Sequence, residues 1–380
     1  MHNPEKHEAA TLVNARTNAR TSIAFLAALA VFIFTPGISM SSENIRVAIA
    51  DDQKTVTLTS PFSLVVEGKR SNKIQHRLII TPAIARTGPV RVTASGAFIQ
   101  VNGKSFRGKL EVRKNKNGLL LVVNELDLED YLLGVVASEM PYDWNIETLE
   151  AQAIASRTYA LYQKRMTDGK VYNLVATENG QMYHGISGER STAARAVQET
   201  RGLVITYEGG LIQAFYHSSC GGHTEDASQL WDVDEPYLKG VDCDCQEISK
   251  YGEWERRFSP ALIARALGKR KFQVSHITSM ALGSITSAGR VQNVSIRHAG
   301  GSTLVPAESL RSAVGNSLIP SVFFELELLG DEFVFSGRGM GHGVGLCQWG
   351  AEEMARNKHD YRSILSHYYP GTVLARIDDL

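Results

Sequence analysis

The sequence predicts an α+β fold: short antiparallel β elements, a helical hairpin and a Gly-rich C-terminal loop. Three observations predict it. Residues 45 to 124 break into short β-prone runs separated by Gly, Asn, Lys and Pro. Residues 128 to 164 carry the strongest helical periodicity in the chain, interrupted by Pro141. Residues 337 to 345 have Gly at every second position, so this run is extended or looped and its backbone approaches something closely.

Taken in order, the chain begins with Arg16 and Arg20 ahead of the apolar run SIAFLAALAVFIF, followed by Pro36, Gly37 and small residues. The run is short for a membrane-spanning helix, which needs about 20 apolar residues. Gly37-Ile38-Ser39 and Ser39-Met40-Ser41 are small-x-small cleavage sites. Residues 1–42 are therefore expected to be a signal peptide, or an uncleaved signal anchor, with the body of the protein extracytoplasmic. No Cys follows the run, which argues against a lipid anchor there. The 380 residues suffice for one large or two ordinary domains, and a 43% hydrophobic content suits a packed core. Lys plus Arg number 40 and Asp plus Glu 40, so the basic excess of a nucleic-acid binder is missing.

Residues 43–104 read as a β-rich N-terminal module, with IRVAIA, TVTLTS, SLVVEG, HRLIIT and VRVTAS as strands. LEVR and LLLVVNE follow, joined by a hairpin turn at Lys116-Asn117-Gly118. Leu128, Tyr131, Leu132, Val135 and Val136 then recur at helical spacing, with Glu129 and Asp130 in the first turn where the helix dipole favours negative charge. The stripe asks for an apolar residue next, and Glu139 stands there. Pro141 restricts Met140 to extended conformations, so the helix stops beside Glu139. Partial burial and the negative helix C-terminus both disfavour the ionised carboxyl. A carboxyl protonated near neutral pH is what a general acid requires. A paired or solvated Glu at a helix rim is the alternative.

The second helix is expected over Ile146 to Lys164, starting near Asn145 or Thr148. Arg157 sits on it among Ala153, Ile154, Ala160 and Leu161. A short connection makes the two helices neighbours, so Arg157 is expected to face Glu139 or a substrate near it, or else to lay its stem along apolar surface. After the turn at Asn179-Gly180, a helix at 189 to 200 ends at Gly202, and LVITYEG begins a strand. LIQAFYHSSCGGHTED then delivers His217, Ser218, Ser219 and Cys220 onto a Gly-Gly turn. No G-x-S-x-G elbow supports a serine nucleophile. Cys220, His223, Cys243 and Cys245 have ligand types that zinc accepts, at no standard finger spacing. Three readings stay open: a structural zinc on those four, a disulfide from Cys220 to Cys243 or Cys245, and free thiols. Residues 253 to 336 mix strands with helices at SPALIARALG and AESLRSAVG and read as scaffold. The Gly-rich run lacks the Lys-Ser/Thr of a P-loop and the strand–loop–helix order of a dinucleotide site. It mounts His342 and Gln348 beside Trp349, whose flat face suits a sugar ring. Cys347 is expected to be a small buried thiol. Helices at Ala351–Lys358 and Tyr361–Tyr368 close the chain.

Six stretches, YLLGVVASEMP, LEAQAIASRTYAL, AFYHSSCGGHTE, PYLKG, GRGMGHGVGLCQWGA and HYYPGT, resemble the stage II sporulation protein D family, also called the amidase-enhancer or SpoIID–LytB domain. They occur in the family's order across roughly 105 to 375, which marks 105–380 as the family's catalytic domain. Thr177, Gln181 and Tyr183 match a further family segment. Some members carry Cys and His just before that Gln; this chain has neither, so the resemblance does not extend to a metal there.

The resemblance implies a lytic transglycosylase acting on peptidoglycan glycan strands. Such an enzyme works with one carboxylate because the sugar's own 6-hydroxyl is the nucleophile. The matched positions then put Glu139 in the helical hairpin as general acid and base, with Arg157, His217, Tyr237, Lys239, His342 and Gln348 binding glycan. No cofactor is chemically required, and structural zinc is the one metal expected. The partners implied are peptidoglycan glycan strands and a cell-wall amidase, without nucleic acid and with membrane contact only through the N-terminal segment. Two other readings are a non-catalytic module that binds glycan for an amidase and a zinc hydrolase built on the His/Cys cluster.

Overall fold

The computed structural model describes residues 43–68 and 75–380. The apolar run at 22–34 lies outside the described residues. No helix among the described residues is long and apolar enough to cross a membrane.

The N-terminal β runs form two sheets. Leu120–Asp127 is central in a six-stranded sheet, between Asn44–Gln53 and Lys109–Lys114. Covered on both faces, it reads as a near-continuous apolar run. Its buried exception, Asn124, donates to the carbonyls of Arg107 and Lys109 and accepts from the Tyr183 hydroxyl at 3.2 Å. The hairpin expected at residues 116 to 118 joins Lys109–Lys114 to Leu120–Asp127, with Gly118 at φ 77°. A four-stranded sheet runs Arg77–Ile80, Val56–Thr59, Ile99–Val101, Lys104–Phe106. The boundary expected at 104/105 falls inside the last of these strands. Strands on either side share one hydrophobic core with the first helix, because short strands cannot bury an apolar face alone.

Eight α-helices occur among the described residues: α1 (Leu128–Glu139), α2 (Ile146–Met166), α3 (Ser191–Glu199), α4 (Ala227–Leu230), α5 (Pro260–Lys269), α6 (Ala307–Val314), α7 (Gln348–Arg356) and α8 (Tyr361–Tyr368). Asp127 caps α1 by accepting from the Glu129 and Asp130 amides. Met140 is extended (φ −130°, ψ 149°), so α1 ends on Glu139 as the proline requires. Asn145 caps α2. Helix α2 is buried on nearly all sides from Thr148 to Thr158, its polar Gln152, Ser156 and Arg157 included. Leu149, Ala153, Ala160 and Leu161 enter the β-rich core. Ala151, Ile154 and Ala155 enter a second core with α7 and α8. A third core holds α5, α6 and the strands between Trp254 and Gly337.

The fold is mixed α+β. Most strand pairs are antiparallel, but two short pairs are parallel: Asn44–Gln53 with Leu174–Val175, and Tyr216–His217 with Leu346–Cys347. The second brings the two motif-rich segments of the sequence side by side. The glycines explain how closely. A Cβ on Gly345 (φ 70°) would lie 2.2 Å from the Phe215 carbonyl, and one on Gly341 (φ 107°) 2.9 Å from the His217 Cβ. What the Gly-rich backbone approaches is its own neighbouring strand.

Candidate active site

A cleft of about 580 Å³ opens where the end of α1, the 178–182 loop, the Phe215–Ser218 segment and the Gly-rich loop meet. Glu139, His217, His342 and Gln348 all line it.

Glu139 reaches the cleft because α1 stops there. Its Oε1 accepts from the Met182 amide at 2.7 Å and from the Tyr216 hydroxyl at 3.1 Å. Burial raises its pKa from 4.5 to about 7, and the Met182, Tyr216 and Gln348 hydrogen bonds hold it from rising further. Behind the carboxyl runs a buried network. Gln181 donates to the Tyr216 hydroxyl at 3.1 Å and to the Ser156 carbonyl at 3.2 Å, and accepts from the Tyr131 hydroxyl at 3.2 Å. It fixes the direction in which Tyr216 donates. Gln348, the first residue of α7, donates to Gln152 of α2 at 3.3 Å. Glu352, one turn on, accepts from the Asn145 amide and the Thr148 hydroxyl, both at 3.0 Å. A carboxylate at the start of α2 suits its dipole and sets α7, hence Gln348, against the hairpin.

The two histidines are neutral and of opposite tautomer. His342 donates from Nε2 to the Tyr216 carbonyl at 3.0 Å and accepts the Val344 amide on Nδ1 at 3.1 Å. Burial lowers its pKa to about 4, and the charges of Arg311 and Arg290 push the same way. His217 donates from Nδ1 to the Val344 carbonyl at 3.1 Å. Burial again holds its pKa well below the ordinary value, with His342 and Arg290 adding to the effect. Its Nε2 is buried and has no hydrogen-bond partner. A buried lone pair left open in a cleft is a place for a ligand N–H or O–H.

Three expected substrate contacts stand elsewhere. Arg157 is fully buried and holds Glu129 by two bonds of 2.8 Å, while its other donors reach the Val197 and Leu203 carbonyls and the Thr200 hydroxyl. It ties α1, α2 and α3 together and does not face Glu139: α2 is buried all round, so periodicity could not say which face held the charge. Tyr237 is buried against Tyr207 (5.5 Å between rings), its hydroxyl near the Gln213 amide. Lys239 pairs with Asp234 and Asp226 at 2.6 and 3.0 Å. Neither lines the cleft. Asp226 caps α4, so Lys239 steadies the segment that ends in Trp231. Trp349 is spent on Trp144, 4.8 Å between rings. Trp231 instead lines the cleft, 4.8 Å from Phe215 and 5.1 Å from His342.

Sequence reasoning missed Tyr216, Trp231 and the Met182 amide. Tyr216 sits beside His217 in a strand too short to show alternation. A second carboxyl also borders the cleft: Glu178 is exposed and accepts from Asn316 at 2.8 Å.

The cysteines depart from expectation too. His223 turns to the carbonyl of the following Thr224 and toward Asp242, 3.8 Å away. Cys347 takes its place: the sulfurs of Cys220, Cys243, Cys245 and Cys347, all buried, lie within 4.8 Å of one another.

Comparison with known proteins places this arrangement in a class. Residues 116–207 match the family model described as stage II sporulation protein, and residues 226–345 match a domain of unknown function. The chain is 31% identical to the stage II sporulation protein D of Bacillus subtilis over 271 residues, covering 67% of this chain and 76% of that protein. An uncharacterized protein of Brachyspira hyodysenteriae is 32% identical over 318 residues, 83% of this chain and 82% of its own. The amidase enhancer of Bacillus subtilis is 29% identical over 288 residues, which span only 40% of its length. The chain belongs to the stage II sporulation protein D family.

Proposed function

We propose that the protein cleaves peptidoglycan glycan strands by lytic transglycosylase chemistry, leaving 1,6-anhydro-muramyl ends. The observation that carries the reading is Glu139, a half-buried carboxyl with a pKa of about 7 in a cleft large enough for sugar rings. Two donors on Oε1 favour the proton on Oε2. That proton goes to the glycosidic oxygen, and the leaving sugar takes the bonding pair. The resulting carboxylate, now stabilised by Met182, Tyr216 and Gln348, accepts the proton of the muramyl 6-hydroxyl as O6 bonds to C1. No water is consumed. Proton transfer of this kind is worth about 10²–10⁴-fold.

Trp231 and Phe215 offer apolar faces for sugar rings. His217 Nε2 accepts a hydroxyl or N-acetyl amide proton of the glycan. A peptidoglycan substrate puts the protein outside the cytoplasm, in accord with the export signal expected at residues 1–42. A second reading, a non-catalytic module that presents glycan to a cell-wall amidase, is favoured by the relative named amidase enhancer.

The test is digestion of purified glycan strands, with and without stem peptides, followed by mass analysis of the ends. Anhydro ends support the proposal. Reducing ends would instead make Glu139 and Glu178 the pair of a hydrolase. Retained binding without cleavage of either substrate would favour the module.

A further inference from the structure

We propose that Cys220, Cys243, Cys245 and Cys347 form a closed tetrathiolate site for one structural zinc ion, which fastens together the two segments carrying His217 and Gln348. The four sulfurs come from three separate stretches: the turn after Tyr216–His217, the 242–245 loop, and the N-cap of α7. They converge to within 4.8 Å, with Cys220 and Cys245 at 3.4 Å. Zinc–sulfur bonds of about 2.3 Å in a tetrahedron put the sulfurs about 3.8 Å apart. The cluster is near that spacing already, and small side-chain movements complete it.

The surroundings are built to receive negative sulfur. Cys347 Sγ accepts from the Cys220 amide at 3.3 Å and the Gly350 amide at 3.4 Å. The Tyr368 hydroxyl lies 3.2 Å from Cys243 Sγ, and the Ser219 hydroxyl 3.5 Å from Cys245 Sγ. Such outer donors orient and stabilise thiolate ligands. Cys347 also caps the N-terminus of α7, the positive end of the helix dipole. The buried Arg290 guanidinium, paired with Glu225 at 3.5 Å, donates to the Cys220 carbonyl at 2.7 Å and so fixes the turn that carries this cysteine. A Cβ at Gly350 would lie 2.3 Å from Cys243 Sγ, so glycine there lets the first turn of α7 close on the site.

Loading the site takes one Zn²⁺ and releases four thiol protons to solvent, with no change of oxidation state. Soft sulfur ligands in tetrahedral array select zinc or iron–sulfur centres. With four protein ligands no position stays open, so the ion does not touch substrate. Its work is mechanical. Cys347 immediately precedes Gln348, which lines the cleft with Glu139, and Cys220 follows His217 by three residues.

The experiment uses the full chain, purified under reducing conditions without chelator, and needs no substrate, so it stands apart from the glycan reading. Elemental analysis is expected to find about one zinc per chain. A mercurial that titrates thiols releases it in step with four thiols, and extraction lowers the melting temperature. Cobalt(II) reconstitution gives the visible spectrum of a tetrahedral tetrathiolate. Cys347→Ser loses the metal, whereas His223→Ala keeps it. If Cys347→Ser does not fold, the thiol titration and the cobalt spectrum still decide. Disulfides on non-reducing peptide mapping, four freely reactive thiols in metal-free native protein, iron in place of zinc, or zinc lost in His223→Ala would each overturn the proposal.

Discussion

Replacing Glu139 by Gln tests both the chemistry and its physical cause. The amide keeps the shape of the side chain, and its oxygen still accepts from the Met182 amide and the Tyr216 hydroxyl. It cannot give a proton to a leaving oxygen, so cleavage falls by at least about 10²-fold. Stability moves the other way. The carboxyl titrates at 4.5 when unperturbed and at about 7 in the fold. A raised folded-state pKa means that the carboxyl costs nothing below the unfolded value. The penalty grows as pH rises from 4.5 and is complete above about 7. The difference corresponds to about 3 kcal/mol. Glu139→Gln is therefore expected to match wild type near pH 4 and to be more stable by up to about 3 kcal/mol at pH 8. Paired melting curves across this range, together with mass analysis of released glycan ends, read both effects. Wild-type turnover by the variant refutes the general acid. A stability difference that does not change with pH refutes the raised pKa.

Tyr216→Phe removes one donor from the carboxylate, so Glu139 should titrate higher still. A hydrogen bond to a charged group, about 1.5–3 kcal/mol, moves the alkaline limb of the pH–rate profile up by roughly one to two pH units; a limb that stays or falls contradicts the assignment. Arg157→Ala strands Glu129 in the interior and should cost about 3–5 kcal/mol in denaturant melts. The protein that remains folded should keep its KM, and a raised KM at unchanged stability would return Arg157 to the substrate. Glu178→Gln should leave anhydro-end release within a few-fold of wild type; near-total loss would mean that a second carboxylate takes part.

The local pattern of the chain determined much by itself. An acid interrupting the apolar stripe just before a Met-Pro pair marked both the end of α1 and Glu139, because stripe and stop are local effects. The start of α2 at Asn145, the turn at Gly118 and the helices α5 and α6 were legible for the same reason. The pKa of Glu139 was only half legible. Burial could be inferred from the stripe, but the donors that limit it come from Met182 and Tyr216, 43 and 77 residues away.

Arg157 shows the limit most plainly. Helix α2 is buried nearly all round from Thr148 to Thr158, with polar and apolar side chains alike inside, so no periodicity says which of its faces meets which neighbour. Tertiary packing turned Arg157 to Glu129 and left the cleft to Tyr216 and the histidines. Cys347 joined the cysteine cluster through a contact spanning 127 residues, in the place expected for His223. Sequence pattern records which side chains leave water, because that cost is paid residue by residue. Which partners they meet is decided by the packing of elements far apart in the chain, where only the assembled core can discriminate.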